Sequence, residues 1–166
     1  MNVLDSGGQG AASGSRSGGI AESESARSAK EEFRPRYMLD TGTCVEILLR
    51  YKAVTRRLES VRVQDVCISA VTLAELQFGV AMSRLDEQDG AALGIFLRHI
   101  QVLEFPAKAA AHYGQVRAAL HWRGVRIGPN ELLIAAHARC AKMTLVTRRT
   151  RELKNVPEML AESWMK

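Results

Sequence analysis

VCISAVTLAELQFGV, residues 66–80, changes its periodicity part-way along. Val66 to Ser69 has the length and composition of a strand. From Val71 the apolar residues recur at helical spacing, with Val71, Ala74, Phe78 and Ala81 at i, i+3, i+7 and i+10. The stretch predicts a strand running directly into an amphipathic helix whose Val71–Ala81 stripe faces the core, with Ser69 as the N-cap at the junction. Working outward, YML (37–39), QVLEF (101–105) and MTLVT (143–147) share the strand character, and helix-forming segments follow the first three strands. Parallel strands need long crossover connections, which helices supply, so the alternation predicts an α/β fold with a parallel sheet covered by helices.

The remaining helices carry their own punctuation. Ala109, Tyr113, Val116 and Leu120 form one face of a long helix that Gly124 ends at its C′ position. Pro129 opens another, from about 129 to 141, in the first turn where its missing N–H is harmless. Its ELLIAAHARCA sequence is apolar nearly all round, which predicts burial.

Residues 1–36 differ in kind, with six Gly, seven Ser and five Ala, no apolar spacing, and five positive charges against five negative. They predict a disordered tail ahead of a folded domain at 37–166. The net charge of +5 therefore belongs to the domain, which suits a polyanionic partner. The chain has 166 residues, 46% of them hydrophobic, enough for one core. No apolar run approaches the roughly 18 residues that span a bilayer, so no membrane role is expected. Cys44, Cys67 and Cys140 form no CxxC pair, which argues against a disulfide framework or a zinc knuckle and suits a reducing, cytoplasmic setting.

Ligand sites in open parallel sheets lie beyond the carboxyl ends of the strands. Asp40 follows the first strand directly, where it can cap the next helix or line a site. Glu75 falls beside the Val71, Phe78 and Met82 stripe, and an acid next to apolar surface needs a partner. Glu131 stands in the first turn of the Pro129 helix, where the macrodipole favours any carboxylate. Glu152, within TRRTREL, can simply pair with Arg148 or Arg149. Jointly, these acids can meet at one sheet edge, where close carboxylates need a shared cation. Oxygen donors without nearby Cys or His point to Mg²⁺ or Mn²⁺ and to phosphodiester chemistry. GGQG at 7–10 lacks the preceding strand of a phosphate loop, His99, His112, His121 and His137 show no metal spacing, and His137 reads as a core residue.

YMLDTGTC (37–44), CISAVTLAELQFGV (67–80), IGPNELLIAAHA (127–138) and TLVTRRTRELKNVP (144–157) resemble, in order and spacing, the PIN-domain ribonuclease toxins of VapC type, and the likeness runs from Tyr37 to Trp164. The resemblance implies a three-layer α/β/α sandwich and Mg²⁺- or Mn²⁺-dependent endonucleolytic cleavage of structured RNA of the tRNA or rRNA class. It also implies a homodimer and neutralisation by a small VapB-type antitoxin. It makes Asp40, Glu75, Glu131 and Glu152 the catalytic acids, with the first three as metal ligands. The family usually has Asp where Glu131 stands, Asn where Gly42 stands, an Asn pair at Arg148-Arg149 and an aromatic at Leu153. These departures surround the implied pocket and leave a second reading, a decayed module that binds an antitoxin without cleaving RNA.

Overall fold

A computed structural model describes residues 34–165; the expected tail falls, up to residue 33, outside the described residues. The elements are β1 (Tyr37–Leu39), α1 (Thr41–Leu48), α2 (Lys52–Glu59), a 3₁₀ turn (Val63–Asp65), β2 (Val66–Ser69), α3 (Ala70–Met82), α4 (Asp86–Leu97), β3 (Gln101–Leu103), α5 (Ala109–Trp122), α6 (Pro129–Cys140), β4 (Thr144–Val146), α7 (Thr150–Leu153) and β5 (Ala161–Glu162). The sheet is parallel throughout, with strand order β3-β2-β1-β4-β5. The third and fourth strands are shorter than the apolar runs that predict them, and the two-residue β5 has no periodicity to announce it. Arg36 already joins the ladder, its N–H donating to the Asp65 carbonyl at 2.8 Å and its carbonyl accepting from Thr144 at 2.9 Å.

Strand alternation divides the core into two layers. In register, Met38 lies beside Cys67 and Leu145, and Leu39 beside Ile68 and Val146. The first set packs with Val116 and Leu120 of α5 and with Leu132, Ile134, Ala135 and Ala138 of α6. The second packs with Cys44, Val54, Leu76 and Leu93, from α1, α2, α3 and α4 in turn. The result is a three-layer α/β/α sandwich. No described helix is long and apolar enough to cross a membrane.

Two details follow the sequence closely. Gly124 takes φ +66°, the left-handed conformation that ends α5, and Pro129 opens α6 behind Gly128. One expectation is corrected: of the Val71–Ala81 stripe of α3, only Val71 packs against the core. Thr72 and Leu76 are buried instead, Ala74 and Ala81 are exposed, and Phe78 and Met82 are 67% and 69% exposed. The helix is apolar on several sides, so a second set, Leu73, Leu76 and Val80, was available to pack on the α1–α4 side of the sheet. Periodicity could not choose between the two.

Candidate active site

In this strand order β1 and β4 are neighbours although the chain leaves β1 for β2 and β3 before returning, so the crossovers reverse direction between β1 and β4. A crevice is expected beyond the carboxyl ends at such a point. There, a pocket of about 570 Å³ is lined by Asp40, Thr41 and Gly42 after β1, Glu75 of α3, Gly128 to Glu131 at the start of α6, Arg148 and Arg149 after β4, and Glu152 of α7.

Asp40 is buried and caps α1, its Oδ1 accepting from the Thr43 N–H at 2.7 Å. Its own N–H and the Thr43 hydroxyl both donate to the Val146 carbonyl, at 3.1 Å each, and so lock the ends of β1 and β4 together. Oδ2 has no hydrogen-bond partner among the described residues. The capping reading and the pocket reading of Asp40 therefore hold at once, one oxygen each.

Glu75 is half-buried and finds the partners its position requires. It accepts from the Thr41 hydroxyl and, at 3.0 Å, from the Asn130 amide, so that one carboxylate ties α1, α3 and α6 together. Thr41 and Asn130 were not singled out by the sequence as site residues. Their signal was adjacency to Asp40 and Glu131, which means little until the fold closes. Glu131 turns one oxygen back on its own helix, Oε2 accepting from the Gly128 N–H at 2.9 Å as half of a capping box. Its Oε1 accepts from Arg149 Nε at 3.3 Å, while Arg149 Nη1 reaches Glu152 at 3.2 Å. The pairing with Arg149 foreseen for Glu152 is present and lies in the pocket wall. These carboxylates raise the Arg149 pKa further, the Glu152 hydrogen bond first and Glu131 second.

All four expected acids thus border one pocket. Their chemistry suits a hard divalent cation in kind, since the donors are oxygens and Asp40 keeps one oxygen unpaired. They are not gathered into a ready cage: among the described residues no three acidic, His or Cys side chains lie close enough to hold an ion, and Arg149 stands between Glu131 and Glu152. His137 is not part of the site. It is buried in α6 with Nδ1 at 3.0 Å from the Ser69 hydroxyl and its ring edge-on to Phe105.

The family profile described as PIN domain matches residues 37–158. Ribonuclease VapC2 of Rickettsia felis is 39% identical over 132 residues, covering 78% of this chain and 98% of the relative. The tRNA(fMet)-specific endonuclease VapC of Shigella flexneri is 37% identical over 129 residues, again covering 78% and 98%. Among solved structures, DNA-bound VapBC from Salmonella typhimurium aligns with a TM-score of 0.72 at 32% identity, over 79% of this chain and 99% of that one. VapBC2 from Rickettsia felis, bound to a promoter DNA fragment, aligns with a TM-score of 0.71 at 38% identity, over 77% and 98%. A profile match over most of the chain, relatives above 30% identity along nearly their whole length and a shared fold agree: the chain belongs to the PIN-domain family and, within it, to the VapC-type ribonucleases.

Proposed function

We propose that this chain is a divalent-cation-dependent endoribonuclease, the toxin of a toxin–antitoxin pair. The observation that carries the proposal is the meeting of Asp40, Glu75, Glu131 and Glu152 around one pocket at the point where the crossovers reverse. Asp40, Glu75 and Glu131 would hold the cation, Mg²⁺ or Mn²⁺. When bound, it supplies Lewis acidity toward a phosphodiester and lowers the pKa of water.

The chain's own residues prepare the site in distinct ways. The α1 cap fixes the Asp40 rotamer and presents its second oxygen. Thr41 and Asn130 fix Glu75, and Arg149 holds Glu131 and Glu152 apart from solvent ions by supplying its own positive charge. Because Arg149 and a cation want the same carboxylate of Glu131, the guanidinium competes directly with metal binding.

The names of the relatives, ribonuclease and tRNA(fMet)-specific endonuclease, support an RNA substrate and, for the second, a tRNA; structured RNA of the tRNA or rRNA class is the substrate proposed. The neighbouring VapBC structures support a small VapB-type antitoxin as partner. A homodimer belongs to the same proposal, and the free Cys44, Cys67 and Cys140 support a cytoplasmic setting. The test is metal add-back. The antitoxin-free full chain, stripped with EDTA, should leave a tRNA transcript intact and should cleave it when Mg²⁺ or Mn²⁺ is restored. Mn²⁺ should serve better, since Glu131 sits where Mg²⁺ demands tight geometry. Absence of cleavage with either metal would overturn the proposal in favour of an antitoxin-binding module without activity.

A further inference from the structure

Glu46 is an acid in the otherwise apolar second half of α1, and it is buried, with its side chain 8% exposed. Its Oε1 forms an ion pair with Arg148 Nε, whereas Oε2 is buried and has no hydrogen-bond partner among the described residues. A carboxylate taken out of water with one oxygen orphaned is costly, and an apolar residue of similar size would pack there without that cost. The other member of the pair is 59% exposed, so the ion pair does not close a core. Stability therefore does not account for it.

What the pair does is fix Arg148. Ion-paired at Nε with a buried anchor, Arg148 lines the pocket together with Asp40, Glu75 and Glu131, and neither of its Nη groups has a hydrogen-bond partner among the described residues. The neighbouring Arg149 is engaged by Glu131 and Glu152. Among the described residues lining the pocket, Arg148 is thus the cation with both terminal Nη groups free of hydrogen bonds. Paired N–H donors in a rigid fork match the oxygens of a phosphate, and losing the orientation weakens such contacts even when the charge remains.

We propose that Glu46 is a positioning residue for RNA: it holds Arg148 so that the Nη edge meets a backbone phosphate of the strand entering the pocket. The inference rests on the ribonuclease reading above. It makes a prediction whose sign differs from simple electrostatics. Glu46→Gln removes a negative charge, and if charge alone mattered a polyanion would bind more tightly. If Glu46 positions Arg148, binding weakens.

The experiment measures affinity of the full chain for a labelled tRNA transcript in EDTA, over a series of salt concentrations. Arg148→Ala should weaken binding about tenfold and lower the salt slope by about one. Glu46→Gln should weaken it several-fold, and should have no weakening effect when added to Arg148→Ala. Arg148→Lys keeps the charge on an exposed stem and should still lose several-fold; it decides the matter if Glu46→Gln fails to fold. Unchanged or tighter binding by Glu46→Gln, parent-like binding by Arg148→Lys, or a parent that binds no RNA would each overturn the inference. Cleavage of the same transcript in Mg²⁺ separates the two proposals. A parent showing this binding pattern without cleavage overturns the nuclease reading alone. A parent that cleaves while its Glu46→Gln variant binds unchanged overturns this inference alone.

Discussion

Asp40 and Glu131 each divide their oxygens between a helix terminus and the pocket, so substitutions there separate folding from chemistry. Asn at position 40 still accepts from Thr43 N–H, and Asp40→Asn should shift stability by less than about 1 kcal/mol, checked by thermal melting. Glu131 behaves differently. Its Oε2 reaches back to the Gly128 N–H, a span that suits the longer acid of a capping box. Glu131→Asp should therefore lower stability by about 1 kcal/mol while releasing the carboxylate from Arg149, raising Mg²⁺ affinity by calorimetric titration and Mg²⁺-dependent cleavage with it. A fall in both metal affinity and cleavage would mark the glutamate as an adapted ligand. The places of Asp40, Glu131 and Glu152 were legible because each stands near a strand end or a helix start, whereas Glu75, mid-helix, was singled out by an apolar stripe whose Phe78 and Met82 are exposed. The contact between Arg149 and Glu131 was not legible, since the two lie 18 residues apart in sequence and meet only when β4 delivers Arg149 beside the α6 N-terminus.

At the scale of single elements, buried titratable groups give the sharpest tests. His137 of α6 is packed away from water and its pKa is lowered from the ordinary value by that burial. The unfolded chain then binds a proton at this residue as the pH falls below about 6.5 while the native chain resists it. The melting temperature should fall as the pH drops from 7 toward 5, and His137→Gln should flatten that acid limb; an unaltered limb would assign the loss to other groups. Burial also pushes the Cys67 thiol up to about 12 and raises Cys44 well above its ordinary value, with Asp40 adding to the latter. Cys140 is only half-buried. In a thiol titration of native protein at pH 8, Cys140 should react and the other two only on unfolding. Reaction of all three in the native state would contradict the core described for α1 and β2. The sequence placed α5 and α6 correctly because Gly124, Pro129 and a broad apolar surface leave one solution. It misplaced the buried face of α3 because that helix has two.

For the whole molecule, the strand–helix alternation was enough to anticipate a parallel sheet, and the order β3-β2-β1-β4-β5 then decides where a site can be. The order itself was not legible from periodicity, which says what each segment is and not which strand it neighbours. The start of the domain gives a further test. Arg36 contributes two backbone hydrogen bonds to the sheet. Removing residues 1–33 should leave the melting temperature unchanged, whereas removing 1–36 should lower stability by about 1 to 3 kcal/mol, at roughly 0.5 to 1.5 kcal/mol per bond. Equal melting of the two truncations would show that the ladder begins at Tyr37. The central claim, that the acids at the β1–β4 crevice perform RNA cleavage, is tested most directly by comparing the antitoxin-free parent with its Asp40→Asn variant on one tRNA transcript in Mg²⁺ under single-turnover conditions. The parent should give discrete cleavage products, and the variant, melting like the parent, none above background. Equal cleavage by the two proteins would contradict the claim.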